Sequence, residues 1–222
     1  MTPPRSRRSV LTLTTTTGLA GLAGCVGGLL DDVTTFSASP AEVSDTGTDE
    51  TGYQHEGTES MTEEREFAGE TVEVTNYIAE YHRTIDLPAL DGDQEAAVFA
   101  TISSPQVGVA GQQFNPLDDM ATHEVVELIQ EQYDGLAVGD QIDDRSVDTL
   151  GQTVTVDVFE GEATFIGEMD LDVRLDVTTP DHGDDHLVIV GVYPDFAVDD
   201  TGTLPDESDN VDTLIRELEH EG

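Results

Sequence analysis

Six histidines, one cysteine and 48 carboxylates are the groups of this 222-residue chain that could do chemistry. Two of the histidines, His182 and His186, stand in the run Asp181-His182-Gly183-Asp184-Asp185-His186. Two imidazoles with Asp184 and its acidic neighbours could be offered there to a divalent metal. The competing reading is a solvated hairpin turn, acidic because the whole chain is, and spacing assigns no third ligand. His123-Glu124-Val125-Val126-Glu127 misses the helical zinc-protease pattern, because Glu127 stands where a second histidine must share the metal and Val125 belongs to an apolar face. Residues 91–95 and 199–209 form oxygen-rich loops, yet neither has the ligand spacing and central glycine of a calcium loop. Neither a Gly-x-Ser-x-Gly elbow nor a glycine fingerprint after a strand occurs. No catalytic residue is therefore assigned, and no cofactor is expected.

The eight cationic side chains are all arginine. Without lysine there is no Walker-type phosphate loop, no Schiff-base chemistry and no Ser-Lys dyad. The formal net charge is -40, and a field of that sign repels nucleic acid and anionic headgroups. No nucleic-acid partner is expected. Low hydrophobicity with such a charge ordinarily leaves a chain disordered. In about molar salt, however, the Debye length falls to about 3 Å and self-repulsion is screened. The composition resembles that of an extreme halophile's protein.

The N-terminus carries Arg7-Arg8, then Ser9-Val10-Leu11, a mildly apolar Thr- and Gly-rich stretch to Gly24, and Cys25. A charged start, a modest apolar region and small residues before a cleavage point read as an export signal. The paired arginines resemble the twin-arginine signal, with Val10 where Phe is commonest. Leu22-Ala23-Gly24-Cys25 resembles a lipobox, in which the thiol is lipidated and the leader is cut before it. Cys25 is the only cysteine, so it has no disulfide partner. Residues 1–24 are expected to be a signal peptide, 25–34 a lipidated tether, and 35–222 a single domain held at the exterior face of the cell membrane. The alternative is an uncleaved apolar segment over residues 10–30, near the ~20 residues a bilayer requires.

The elements that must position these groups follow from periodicity. Phe36 to Ser39 predicts an opening strand, and Pro40 to Ser44 a brief helix with proline first. Residues 53–67 and 71–83 predict a hairpin about Gly69-Glu70, and 96–103 a further strand. Ala121, Val125, Leu128, Ile129 and Tyr133 share one helical face, with Asp118, Asp119 or Thr122 to start it and Gly135 to end it. Val154, Val156 and Val158 alternate with polar residues, as do Met169 to Val177, which predicts strands with one wet face. Leu187 to Tyr193 is apolar on both faces and predicts the central strand. Val211, Leu214, Ile215 and Leu218 predict a C-terminal helix capped near Ser208 or Asp209. The expected fold class is α+β, a long antiparallel meander with one face packed against helices, the C-terminal one included.

Several stretches together resemble an uncharacterised family of haloarchaeal exported lipoproteins. They are the leader with Leu22 to Cys25, Asn76-Tyr77 with Tyr81, Ser104-Pro105-Gln106-Val107, Phe114-Asn115-Pro116, and Tyr133-Asp134-Gly135. Leu150-Gly151-Gln152, Tyr193-Pro194 and the closing Asn210 to His220 complete the set. The likeness covers nearly the whole chain and implies no assigned activity. The order hairpin, strand, helix, meander, helix is similar to the PsbP-like fold, which implies a non-enzymatic helper or binding domain, although fold does not determine function. The expected function is thus a membrane-anchored, non-catalytic lipoprotein domain that binds a partner protein or a small ligand, with the membrane engaged through lipid on Cys25. The alternative is an extracytoplasmic metal-dependent hydrolase in which His182, His186 and a distant acid converge.

Overall fold

Runs in which apolar, mostly β-branched residues alternate with Thr, Asp or Glu favour extended backbone. Such runs dominate the computed structural model, which describes residues 33–67, 70–86, 93–109, 112–114, 122–132, 135–165, 169–195 and 207–222. In chain order the elements are β1 Val33–Ser37, β2 Ala41–Val43, α1 Asp45–Thr51, β3 Gln54–Phe67, β4 Glu70–Asp86, β5 Asp93–Pro105, β6 Val107–Val109 and β7 Gln112–Phe114. There follow α2 Thr122–Gln132, β8 Leu136–Thr149, β9 Gln152–Phe165, β10 Met169–Thr178, β11 Asp181–His182, β12 Asp185–Pro194, α3 Glu207–Arg216 and β13 Leu218–His220.

Among the described residues nine strands form one sheet. β3 pairs along one side of β4, whose other side carries β1 over residues 71–75 and β5 over 77–86. Beyond β5 lie β12, β10, β9 and β8, in that order. The hairpin about residues 67–70, the β9–β10 meander and the central position of β12 agree with the periodicity.

The balanced α+β expectation is overturned. Among the described residues strands make up 68% and helices 19%, and the sheet is mixed rather than antiparallel, because β1 runs parallel to β4. A parallel neighbour requires the chain to cross over before it returns, and nothing in the local pattern of residues 33–37 announces that. The helices also occupy both faces instead of one. On β12, Ile189 and Tyr193 pack with Val211, Leu214 and Ile215 of α3, while Val188 and Val190 pack with Val125, Val126 and Ile129 of α2. A strand apolar on both faces needs two covers, and each helix supplies one.

Smaller corrections follow. Residues 41–43 form β2 rather than a helix, and α1 starts only after Ser44, whose hydroxyl accepts the Gly47 N–H at 3.2 Å. Leu218 leaves the C-terminal helix and enters β13, which pairs with β2. That ribbon is tied to the sheet where Val43 N–H donates to the Tyr81 hydroxyl at 2.8 Å and Thr101 Oγ1 donates to the Ala41 carbonyl at 2.5 Å. Gly191 lets α3 lie close, since a Cβ there would stand 3.0 Å from both methyl groups of Val211. Among the described residues no helix is long and apolar enough to cross a membrane.

Candidate functional site

β11 and β12 are joined by the two residues Gly183 and Asp184, and Gly183 takes the positive φ (62°) that tight hairpin turns require. The register pairs Asp181 with His186 and His182 with Asp185. Successive cross-strand pairs point to opposite faces, so His182 and His186 are turned away from each other. His186 Nδ1 meets Asp181 Oδ1 at 2.7 Å on one face. On the other, the face that carries α3, His182 Nδ1 lies 2.8 Å from Nδ1 of His220. Asp184 is exposed, and its backbone carbonyl accepts the Gln106 N–H at 2.8 Å. The convergence that a hydrolase at this turn requires is therefore not formed between His182 and His186. Among the described residues no group of three or more His, Cys, Asp or Glu is arranged to hold a metal. Arg7, Arg8, Leu22, Ala23, Gly24 and Cys25 lie outside the described residues.

His220 is a residue that spacing did not single out. It sits 35 positions from its carboxylate partner, Asp185, whose Oδ2 accepts from His220 Nε2 at 3.0 Å and from the Ser39 backbone N–H at 2.7 Å. The His220 side chain is fully buried and Asp185 is 4% exposed. β13 delivers His220 to this point through its pairing with β2, a long-range contact that carries no local sequence signal.

Two further ionic clusters lie between α3 and the sheet. Arg145 of β8 donates to Asp176 Oδ2 of β10 at 2.6 Å and to Asp212 Oδ1 of α3 at 2.7 Å, while the Tyr193 hydroxyl donates to Asp176 Oδ2 at 3.1 Å. Asp176 is 1% exposed, and among the described residues its Oδ1 has no hydrogen-bond partner. Burial pushes this carboxyl above the ordinary carboxylate range, against the pull of Arg145. Burial also opposes the charge on Arg145, but Asp176 and Asp212 outweigh it and raise the guanidinium further above its usual value. In the second cluster Arg83 of β4 grips both carboxylate oxygens of Glu207 at the start of α3. Burial, with the Glu207 charge added, holds the neighbouring Tyr53 phenol far above its normal titration.

Alternation along β10 assigned Asp176 to a wet face with Asp172 and Arg174. α3 covers that face at Asp176, so the carboxylate is buried and needs the arginine. All four arginines whose side chains are described, Arg83, Arg145, Arg174 and Arg216, are paired with acids. The three buried clusters share one architecture. Glu207, Asp212 and His220 each fasten the C-terminal segment to a different strand of the sheet.

No curated protein matches the chain by sequence. The sequence pattern of a domain of unknown function, DUF6517, matches residues 40–219, which takes in the Arg145 and Arg83 clusters and the whole of the main sheet after β1, with His220 one residue beyond it, and the chain belongs to that family.

Proposed function

We propose that this chain is a membrane-anchored extracytoplasmic lipoprotein of a halophilic archaeon, and that its domain is a non-catalytic binding or helper module. The observation that carries the non-catalytic reading is the use made of the buried polar and ionic groups. Arg83, Glu207, Arg145, Asp176, Asp212, Asp185 and His220 are spent on clamping the C-terminal segment to the sheet. The order of the β3–β4 hairpin, β5, α2, the β8–β12 meander and α3 supports a likeness to the PsbP-like fold. The anchor rests on Arg7-Arg8, on Leu22-Ala23-Gly24 and on Cys25 being the only thiol. One acyl chain binds a bilayer only marginally, so firm attachment implies two chains or a second signal. An acidic surface supplies no such signal.

The test is the mature N-terminus. Wild-type protein should fractionate with membranes and carry lipid on Cys25 as its first residue, by mass spectrometry. Cys25→Ser should remain unlipidated and lose firm membrane attachment. An intact leader with unmodified Cys25 would overturn the anchor.

A further inference from the structure

β11 and β13 bring together two imidazoles that no sequence spacing links, and a buried carboxylate controls one of them. Asp185 Oδ2 receives His220 Nε2 at 3.0 Å and the Ser39 N–H at 2.7 Å. A carboxylate partner selects the Nε2–H form of a neutral imidazole, which leaves the lone pair on the other nitrogen. In His220 that other nitrogen is Nδ1, and it is aimed at Nδ1 of His182, 2.8 Å away. With His220 in that form, the single proton between the two nitrogens belongs to His182.

We propose that His182 and His220 form an open, two-imidazole site for a divalent first-row metal that favours right-angled coordination, Cu(II) or Ni(II), with Asp185 as the carboxylate behind His220. Metal–imidazole bonds of about 2.0–2.1 Å to nitrogens 2.8 Å apart subtend about 85°, the cis angle of tetragonal or octahedral sites, whereas a tetrahedral ion needs a separation of about 3.3 Å. The asymmetry of burial sets the route of entry. His220 is enclosed and held by Asp185, while His182 is half-buried on the solvent side. The metal enters as the dication and forms two N–metal bonds while the His182 proton moves from Nδ1 to Nε2 through solvent, so both imidazoles stay neutral and no oxidation state changes. Water completes the coordination. The Asp185–His220–metal arrangement raises the basicity of the ligating nitrogen, and outer partners of this kind are worth about 10–100-fold in affinity.

The probe is copper chloride or nickel chloride titrated into the full chain at neutral pH in about molar sodium chloride, which suppresses loose binding to surface carboxylates. The expected result is one tight equivalent per chain and a Cu(II) paramagnetic resonance signal split by two nitrogens. His182→Ala should abolish the tight equivalent, and Asp185→Asn should weaken it about 10–100-fold. His186→Ala, altered on the opposite face, should retain it. Removal of the buried His220 threatens the fold, so the nitrogen count on wild-type protein stands in for that variant. Oxygen-only coordination in the wild type, or a tight equivalent that survives in folded His182→Ala protein, would overturn the site.

Discussion

Asp176 is the residue whose placement conflicts most with its chemistry, because a 1% exposed carboxylate has lost its water and keeps one oxygen unpaired among the described residues. Its carboxyl is raised by burial in the folded state, so the fold retains a proton that the unfolded chain loses near about pH 3.9. The stability this group contributes is whole below that value and falls as pH rises through the folded-state titration. Asp176→Asn removes the titration. Urea unfolding of both proteins across pH should show wild type losing stability relative to the variant from about pH 4 upward; parallel profiles would refute the assignment. Arg145→Met strands the carboxylate with only the Tyr193 hydroxyl, and should cost about 3–5 kcal/mol at neutral pH in the same measurement.

Among the elements, β12 bears the most constraint, since both of its faces are covered and its hairpin with β11 decides which way each histidine points. Its contact with α3 depends on Gly191. Gly191→Ala places a methyl 3.0 Å from both Val211 methyls and should destabilise by about 1–3 kcal/mol in denaturant titration. Adding Val211→Ala should recover part of that loss, because the two sites share one contact; strictly additive effects would show that the clash is relieved elsewhere. The outer strands solve a different problem. β3 carries Glu56, Glu59, Glu63, Glu64 and Glu66, and β8 carries Asp140, Asp143, Asp144 and Asp148. Repulsion between such strands on neighbouring molecules opposes edge-to-edge pairing.

For the molecule as a whole, charge dominates. The described arginines are already committed to acids, and the chain remains at -40. At about 0.1 M salt the Debye length is about 10 Å, so repulsion reaches across neighbouring strands, whereas at 1 M it shrinks to about 3 Å. The folded fraction, followed by circular dichroism in a salt titration, should rise with ionic strength. A cooperative, fully folded domain at about 0.1 M would contradict the halophile argument.

Periods of two and of 3.6 are local properties of a chain, and they made the β3–β4 hairpin, β9, β10, β12 and the apolar face of α3 legible without a structure, whereas α2 buries Val126 beside Val125 and Ile129 and leaves Leu128, expected on that face, 45% exposed. The lone Cys25, the paired arginines and the acidic surplus are likewise matters of composition and order. Tertiary structure alone decided that β1 runs parallel to β4, that α2 and α3 take opposite faces, that Asp176 lies beneath a helix, and that His182 meets His220 rather than His186. Each of these depends on which distant segments pair and in what register. A shift of one residue in strand pairing exchanges every side chain between the two faces of a sheet, and no periodicity within a strand records which partner, or which offset, the fold will select.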